Sequence, residues 1–353
     1  METGRYKVLM IGPDRSVHGG ISGVVNNYYE AGLNRRIDLC YIGTMVEGSG
    51  GRKLLRAVTA YFSFLVKLPR YRIVHVNMAS DTSFYRKSVF IWTAKLFRKK
   101  VVIHQHGGNF PDFYQKTLRR AGRAYVKRTL ALGDAFLVLG TAWKDFFGGI
   151  IDGEIITVLP DAVELPAPRQ KQYGVHKLLF LGRLCREKGI GELLSVMPQL
   201  RSRFPDVQLY LGGIWEDEKL KERALSIGEC VTDLGWVSGS AKQKILQECD
   251  IFVMPSYFEG QSVSILEAMA NRCAVAASDT GGIPDMIVDG QTGVLMPPKN
   301  VEALRDRLLL LLSDPELCRK LGENARKKAE AEFSMEQNIK QLLAVYQAIA
   351  EDR

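Results

Sequence analysis

Two glutamates in the C-terminal half of the chain have the residue type and spacing to bind a polyol. Glu259 follows an apolar run at 250–255 that is predicted to be a strand ending in a loop, and Glu267 lies in the helical pattern after that loop. Glu267 is flanked by Leu266 and Ala268, and a carboxylate among apolar neighbours is costly to bury unless a donor hydrogen-bonds to it. Two adjacent sugar hydroxyls can donate to one carboxylate, so a sugar diol is a suitable ligand.

The same residues also have a purely structural interpretation. Ser264 and Glu267 fit the S/T-x-x-E capping box, in which the glutamate reaches back to a backbone N–H group at the start of a helix. From these residues alone, the ligand-binding and helix-capping interpretations are equally open.

Two further loops carry groups that could bind phosphate. Arg183 and Lys188 follow the apolar run 177–181, and a planar guanidinium together with a mobile ammonium can converge on a diphosphate. Gly19 and Gly20 precede a predicted helix, where backbone N–H groups can approach a phosphate. A solvated loop and an ordinary tight turn explain the same residues. The spacing G-G-x-x-G also differs from the dinucleotide-binding pattern G-x-G-x-x-G, which disfavours a Rossmann oxidoreductase.

An imidazole stands at the end of another predicted strand. The strand Val101–His104 leads to His106, which is followed by two glycines and is well placed to contact a ligand. His104 is ranked below His106 because it is expected to point to the opposite face of the strand. A single histidine is more often structural than functional.

Alternating apolar runs and amphipathic segments must position these residues. Short continuous apolar runs are typical of strands covered on both faces of a parallel sheet, and their alternation with helices indicates βαβ units. The segment 159–172 contains three prolines and a polar tail, which mark a linker. The sequence therefore predicts an α/β protein with two Rossmann-like doubly wound domains, 1–165 and 166–333, which face a ligand cleft. An amphipathic helix at 334–353 is expected to cross back onto the first domain.

The excess positive charge is confined to the first half of the chain. The net charge is +9; residues 1–165 hold 24 Lys and Arg against 13 Asp and Glu, whereas residues 166–353 hold 24 against 26. This asymmetry predicts an anionic partner for the first half, either a membrane surface or a diphosphate-linked substrate. Charges that are merely solvated are the alternative. Nucleic acid is disfavoured because no basic stripe is interleaved with aromatic residues.

Composition predicts a cytoplasmic protein. The six cysteines are scattered without a C-x-x-C pair, which fits a reducing compartment and argues against a structural zinc site. Neither a signal peptide nor a transmembrane helix is expected. The segment Leu54–Leu68 is strongly apolar between flanking cations, and a buried helix is favoured over an interfacial membrane helix because helices that are apolar nearly all round are usually buried.

Several motifs together resemble glycosyltransferase family 4. They are Glu259-x7-Glu267, the segments Ala276–Asp285 and Asp289–Gly293, the Gly-Arg-x-x-x-x-Lys-Gly pattern at 182–189, and the Gly-Gly turn at 19–20. The resemblance covers nearly the whole chain and is most specific in the C-terminal half. It implies the GT-B fold and a retaining, nucleotide-sugar-dependent hexosyltransferase of the EC 2.4 class.

The resemblance also implies residue roles. Glu267 would hold the ribose diol of the donor, Arg183 and Lys188 would neutralise its diphosphate, and Glu259 and His106 would contact the transferred sugar. Further donor-binding positions would be Gly19, Gly20, Val237, Gly260, Gln261, Ser262 and Val263. A UDP-sugar is favoured over a GDP-sugar. Neither a metal ion nor another cofactor is expected, because a D-x-D triplet is absent and the acidic residues lack the spacing of a hard-cation loop.

In capsule, exopolysaccharide and lipopolysaccharide members, similar Ser and Arg-Lys residues follow a strand. This likeness implies an acceptor site at Asn77, Ser83, Arg86 and Lys87, although Asn77 stands where many members have a second histidine. Arg86 and Lys87 fit a helix surface equally well.

The implied function is sugar transfer to a glycan or to a lipid-diphosphate-linked acceptor in cell-surface polysaccharide synthesis. The enzyme would work peripherally at the inner face of the cell membrane. A sugar-nucleotide epimerase of the same architecture and a GT-B scaffold that only binds a partner are the alternatives.

Overall fold

The computed structural model describes residues 6–167 and 169–351 of the 353-residue chain. Chain contacts divide it into unit 1, Met1–Ala162 with Met335–Arg353, and unit 2, Val163–Ser334. The first five residues, Pro168 of the predicted linker and the last two residues of the predicted C-terminal segment lie outside the described residues.

Unit 1 is built on a parallel sheet of six strands in the order β2-β1-β3-β4-β5-β6. The strands are β1 (Lys7–Gly12), β2 (Asp38–Gly43), β3 (Ile73–Met78), β4 (Lys100–Gln105), β5 (Ala135–Val138) and β6 (Ile156–Val158). The helices are α1 (Gly20–Glu30), α2 (Leu33–Arg36), α3 (Gly50–Lys67), α4 (Asp81–Leu96), α5 (Phe110–Asp112), α6 (Arg120–Leu130) and α7 (Thr141–Gly148). Shorter helical turns cover Leu68–Arg70, Phe113–Thr117 and Gly153–Ile155.

Unit 2 has a second parallel sheet of six strands, in the order β12-β11-β10-β7-β8-β9. The strands are β7 (Lys177–Leu181), β8 (Gln208–Gly212), β9 (Val231–Gly235), β10 (Ile251–Met254), β11 (Ala274–Ser278) and β12 (Val294–Met296). The helices are α8 (Ile190–Arg203), α9 (Glu218–Ile227), α10 (Gly239–Glu248), α11 (Val263–Ala270), α12 (Ile283–Met286), α13 (Val301–Ser313) and α14 (Pro315–Glu332), with a short turn at Arg186–Lys188.

The central strands are buried along their whole length. All residues of β3, β5, β10 and β11 are buried, as expected for strands covered by helices on both faces. This burial explains why the strands appear in the sequence as continuous apolar runs. The prediction of two doubly wound parallel sheets is confirmed.

Both sheets reverse their direction of growth at one point. In unit 2 the chain extends from β7 to β8 and β9, then returns to place β10 on the other side of β7. In unit 1 the same reversal separates β1 from β3. Ligands of such sheets bind beyond the carboxyl ends of the strands at this switch point. The loops after β7 and β10, and those after β1 and β3, are therefore the first places to look for a site.

The C-terminal helix α15 (Met335–Glu351) packs on unit 1. The Tyr346 hydroxyl lies 2.6 Å from His75 Nδ1, and the Tyr28 hydroxyl donates to Asn338 Oδ1 at 2.8 Å. Both contacts are buried, so α15 contributes side chains to the core of unit 1.

Helix α3 differs from its prediction. Only Ala60 and Phe64 of this helix are buried, whereas Leu54, Phe62 and Val66 are 67%, 63% and 78% exposed. The interpretation of this segment as a buried helix is wrong, because unit 1 covers one narrow face and leaves the apolar residues on the other faces in solvent. No helix within residues 6–167 or 169–351 combines the length and apolarity needed to span a membrane.

Candidate functional site

The loops after β7 and β10 meet at the switch point of unit 2. Gly189 has φ +71°, and a Cβ atom there would lie 2.1 Å from the carbonyl oxygen of Pro255, so only glycine permits this approach. The approach brings Lys188 to Glu259, with 2.5 Å between Nζ and Oε1. The Ser256 hydroxyl donates to the same carboxylate oxygen at 2.8 Å. Two residues 71 positions apart in the chain thus form one contact.

The Lys188–Glu259 pair is nearly buried, with 17% and 9% of the two side chains exposed. Desolvating two charges costs free energy that their mutual attraction offsets only when the geometry is good and further hydrogen bonds are made. Ser256 supplies such a bond. Removing either charge alone leaves the other buried without its counter-ion, which typically costs about 3–5 kcal/mol.

A glycine turn supports the backbone of Glu259. Gly281 has φ +56°, and a Cβ atom there would lie 1.8 Å from the Glu259 carbonyl oxygen. The Gly282 N–H group donates to that oxygen at 3.2 Å, and the Thr280 hydroxyl donates to the Tyr257 carbonyl at 3.1 Å. The segment after β11 therefore holds the 255–262 loop in its conformation.

Arg183 has a different environment from Lys188. It pairs with Glu216 at 2.9 Å, and the two side chains are 49% and 44% exposed. The loops after β7 and β8 are held together because Gly213 has φ +159° and a Cβ atom there would lie 1.7 Å from the Gly182 carbonyl oxygen. An exposed pair of this kind contributes little to stability, so the guanidinium can exchange Glu216 for an anionic ligand at small cost.

Glu267 lies in the second turn of α11, and its role differs from the helix-capping interpretation. Helix α11 begins at Val263, and its N-cap is Ser262, whose hydroxyl accepts from the Ile265 N–H group at 3.4 Å. The capping-box alternative is therefore wrong, because Ser264 already lies inside the helix. Glu267 Oε1 instead contacts Lys242 Nζ of α10 at 2.5 Å, with 12% of the Glu267 side chain exposed.

The remaining predicted donor-binding residues of unit 2 lie in the loops after β9 and β10 and at the start of α11. Gly260 and Ser262 are buried in the loop between β10 and α11, and Gln261 and Val263 are half-buried. Val237 follows β9 and is half-buried. All five lie beyond carboxyl ends of parallel strands, and Ser262 and Val263 stand at a helix N-terminus, where backbone N–H groups favour an anion.

In unit 1, His106 follows β4 and is held by hydrogen bonds. Its Nε2 lies 3.0 Å from Asn77 Oδ1, and the Asn77 amide nitrogen donates to the Ile11 carbonyl at 3.2 Å. Because the Asn77 NH₂ group donates to the Ile11 carbonyl, Asn77 Oδ1 faces His106 and accepts a hydrogen bond. His106 Nε2 therefore carries a proton. Asn77, predicted as an acceptor-site residue, thus orients the imidazole.

The other nitrogen of His106 faces a carboxylate. His106 Nδ1 lies 3.5 Å from Asp161 Oδ1, and the two side chains are 5% and 4% exposed. The contact is an ion pair when the imidazole carries protons on both nitrogens. Asp161 lies in the predicted linker, and sequence reasoning did not single it out.

Two further histidines surround His106. The rings of His104 and His106 have centroids 4.0 Å apart, so the expected opposite orientation of His104 is wrong: residues two apart in a strand share a face. Burial, and then the neighbouring His106, lowers the pKa of His75 to about 3 and holds the pKa of His104 well below its ordinary value. Both are neutral near pH 7. One ligand atom from each of His104, His106 and Asp161 lies within 4.8 Å of the others, so this group has the donor types of a metal site.

The glycines after β1 have an open environment. Gly20 begins α1, and the N-cap Gly19 is extended and offers no side-chain cap to the helix. A Cβ atom at either glycine would meet no atom within 4 Å. Neither position requires glycine for steric reasons, although the missing side chains leave the N-terminus of α1 accessible.

The residues of the predicted acceptor site belong to β3 and α4. The Ser83 hydroxyl accepts from the Ala79 N–H group at 3.3 Å near the start of α4. Lys87 is fully buried, so the helix-surface alternative is wrong for this residue. Burial, and then the neighbouring Arg86, lowers the pKa of Lys87 to about 7, and burial also lowers the pKa of Arg86.

The two-sheet architecture is that of GT-B glycosyltransferases: sucrose-phosphate synthase from Thermosynechococcus elongatus superposes with a TM-score of 0.79 at 20% identity, over 99% of this chain and 100% of that one. HepE of Anabaena, solved with UDP and glucose, gives a TM-score of 0.76 at 15% identity, over 97% and 100%. The predicted GT-B fold is therefore confirmed.

The sequence likeness is concentrated in unit 2. Residues 164–328 match the model of the family described as glycosyl transferases group 1. The alpha-maltose-1-phosphate synthase of Mycolicibacterium smegmatis is 33% identical over 186 residues, which are 48% of this chain and 47% of that protein. The match thus spans about half the length of this curated relative. Unit 2 is therefore similar in sequence to group 1 glycosyl transferases.

Proposed function

We propose that the protein is a retaining hexosyltransferase that moves a sugar from a nucleotide-diphosphate donor to a glycan or a lipid-diphosphate-linked acceptor. The observation that carries this proposal is the nearly buried Lys188–Glu259 pair at the switch point of unit 2, where Arg183 lies in the same loop after β7. Unit 2 would bind the donor and unit 1 the acceptor. A UDP-sugar is favoured over a GDP-sugar.

Arg183 and Lys188 would bind the diphosphate of the donor. In the transfer step the bond between the anomeric carbon and the diphosphate oxygen breaks, and the nucleoside diphosphate leaves with both electrons. The acceptor hydroxyl forms the new bond on the same face, and its proton passes to the leaving phosphate. Negative charge develops on that phosphate, so preorganised cations and the N-terminus of α11 at Ser262–Val263 lower the barrier. Gly19 and Gly20 would add backbone donors.

Glu267 would bind the ribose diol of the nucleotide. Its oxygen is now held by Lys242, so donor binding exchanges or extends this contact. The loop that contains Val237 would lie against the base, and Gly260 and Gln261 would line the path of the diphosphate and sugar.

Glu259 and His106 would contact the transferred sugar. Glu259 can accept from sugar hydroxyls while Lys188 balances its charge. Asn77 and Asp161 hold both nitrogens of His106 in defined contacts, which would fix the ring for a sugar.

The acceptor would be recognised in unit 1. Arg86 and the buried Lys87, whose pKa is lowered to about 7, follow β3, and Ser83 and Asn77 lie close to them in the chain. A diphosphate-linked acceptor would bring negative charge to these two residues and favour the protonated form of Lys87. The proposal includes a role in cell-surface polysaccharide synthesis at the cytoplasmic face of an anionic membrane, which unit 1 would contact through its positive charge.

The experiment is a donor screen followed by product analysis. Thermal unfolding is measured with UDP, GDP, ADP, CMP and their sugar conjugates, with and without a chelator. A ligand at 100 times its Kd adds about 2.7 kcal/mol to the free energy of unfolding. One diphosphate nucleotide should stand out, and Glu267→Ala should abolish its shift. Loss of the nucleotide shift on chelation would contradict metal independence and direct attention to His104, His106 and Asp161.

Product analysis then separates transfer from the alternatives. With the identified donor and a lipid-diphosphate acceptor, the product should retain the anomeric configuration. Release of an epimerised sugar without any acceptor would identify an epimerase instead. Nucleotide binding without turnover of any donor would favour a binding scaffold.

A further inference from the structure

Helix α3 carries a row of large apolar side chains on its outer face. Leu54, Val58, Phe62 and Val66 are 67%, 44%, 63% and 78% exposed, and their spacing of four residues places them on one side of the helix. Leu55 beside them is 65% exposed. A row of this length is unusual on a surface that faces only water.

Helix α4 extends this apolar surface. The Tyr61 hydroxyl of α3 lies 2.8 Å from Thr93 Oγ1 of α4, so the two helices are in direct contact. On α4 and its C-cap residue Phe97, further apolar side chains are 45–80% exposed: Tyr85 45%, Val89 48%, Leu96 80% and Phe97 52%.

Helix α6 completes the layer on the other side of α4. Tyr85 stacks on Tyr125 of α6 with ring centroids 6.3 Å apart, and Trp92 Nε1 donates to Thr129 Oγ1 at 3.0 Å. We call the exposed side chains of these three helices the α3–α4–α6 surface. Its α6 part is cationic and consists of the exposed N-cap residue Arg119 and the exposed helix residues Arg120, Arg123, Lys127 and Arg128.

The segment that forms this layer carries a large excess of positive charge. Residues 48–133 contain 18 Lys and Arg but only two acidic residues, Asp81 and Asp112. The whole chain carries a net charge of +9, so this segment holds more than the entire excess. Such a field attracts an anionic partner and repels a second copy of the same surface.

We propose that the α3–α4–α6 surface docks on an anionic phospholipid bilayer. The apolar row of α3 and α4 inserts at the boundary between headgroups and acyl chains, and the cations of α6 contact the headgroup phosphates. An apolar row beside a cationic helix matches this interface, in which hydrocarbon lies directly below negative charge. The inference deepens the proposed function because a lipid-linked acceptor would be met at the same membrane.

The test is co-sedimentation of the full chain with phosphatidylcholine vesicles, with and without phosphatidylglycerol. The wild type should bind only the anionic vesicles and should dissociate as salt is added. Phe62→Ser with Val66→Ser removes two inserting side chains and should lower the partition coefficient by roughly tenfold or more. Leu225→Ser is the matched control, because Leu225 is 64% exposed on unit 2. It should leave binding unchanged.

A second pair of variants tests the charge. Arg120→Gln and Lys127→Gln should each weaken binding to anionic vesicles by about fivefold, the effect of one cation near such a surface. Arg203→Gln, at an exposed position of α8, serves as the control and should have no effect. Circular dichroism and the nucleotide-induced thermal shift verify that every variant is folded.

Three results would overturn the proposal. The first is equal loss of binding in Leu225→Ser or Arg203→Gln, and the second is binding to neutral vesicles that salt does not affect. The third is a concentration-dependent dimer that Phe62→Ser with Val66→Ser abolishes, which would assign the surface to a second copy. Vesicle binding without any nucleotide-induced thermal shift would contradict the proposed transferase but support the membrane surface. A nucleotide-induced shift without vesicle binding would contradict the membrane surface but not the proposed transferase.

Discussion

The cations that are proposed to bind ligands have different surroundings in the two units. In unit 2, Arg183 pairs with Glu216, Lys188 with Glu259, and Lys242 with Glu267. In unit 1, Lys87 is buried and Arg86 is half-buried, and within residues 6–167 and 169–351 neither has a carboxylate in ion-pair contact. One set of cations is neutralised by the protein itself, and the other is not.

This difference determines which contacts a ligand would have to replace in each unit. A donor that binds unit 2 has to displace a carboxylate from its cation or share that cation with it. An anionic ligand of unit 1 would instead relieve the cost of holding Arg86 and Lys87 away from water. The proposed division into a donor unit and an acceptor unit agrees with this contrast, because exchange of partners suits a leaving group that must be released after each turnover.

The largest effect is expected when one charge of the buried Lys188–Glu259 pair is removed. Lys188→Met should lower the free energy of unfolding by about 3–5 kcal/mol, because Glu259 is left buried without its counter-ion. Lys188→Met combined with Glu259→Gln should recover most of that loss and still lack transferase activity. Urea unfolding measures the stability. If the double variant were no more stable than the single one, the pair would not be the source of the loss.

The buried lysine of unit 1 gives the next largest effect, and it depends on pH. The folded-state pKa of Lys87 is lowered to about 7, below the ordinary 10.5, so between these values the unfolded chain binds the additional proton. The buried Lys87 therefore destabilises the folded protein at pH 7, and the free energy of unfolding increases as the pH rises from about 7 towards 10.5. Relative to Lys87→Met, the wild type should gain on the order of 3 kcal/mol between pH 7 and pH 10.

Urea unfolding of both proteins at the two pH values measures this difference. Lys127→Met, on the exposed face of α6, is the matched control and should follow the wild type. Parallel pH profiles for the wild type and Lys87→Met would show that Lys87 is not held neutral by burial.

The sequence and the structure agree best where local patterns determine the outcome. The continuous apolar runs at 251–254 and 274–277 become fully buried parallel strands, and Glu259 follows the first of them in a loop. Arg183 and Lys188 are likewise placed by the single strand β7 that precedes them. In each case the feature depends on a few neighbouring residues.

The partners of these residues depend on contacts that no local pattern encodes. Lys242 meets Glu267 across 25 positions, and Asp161 meets His106 from a segment predicted only as a linker. The exposure of α3 is a similar case, because the residues of a helix do not reveal whether another element covers it. Gly281 belongs to the segment Ala276–Asp285, one of the motifs of the family resemblance, but its contact with the Glu259 carbonyl follows only from the packing of β10 beside β11.

Within unit 2, Arg183 is expected to affect sugar transfer more than stability. Because its pair with Glu216 is half exposed, Arg183→Gln should change the free energy of unfolding by less than about 1 kcal/mol. It should nevertheless raise the barrier to transfer by about 2.7 kcal/mol, the lower end for loss of one preorganised donor. Steady-state kinetics with the identified donor measure the second effect. Unchanged kcat/KM would remove Arg183 from the site, whereas a large stability loss would show that the Glu216 pair is structural.

The smallest expected effect concerns the backbone that holds Glu259. Gly281→Ala adds a Cβ atom where the Glu259 carbonyl oxygen lies 1.8 Å away, so the loop must shift. Gly290→Ala is the matched control: Gly290 has φ +70°, close to the +56° of Gly281, but its added Cβ would meet no atom within 4 Å. Both variants share the cost of a positive φ, and the difference between their free energies of unfolding, about 1–2 kcal/mol, isolates the steric overlap. Donor turnover should fall only in Gly281→Ala, because a displaced Glu259 no longer meets Lys188 in the same geometry. Equal effects of the two substitutions would mean that the ion pair, and not the glycine turn, sets the position of Glu259.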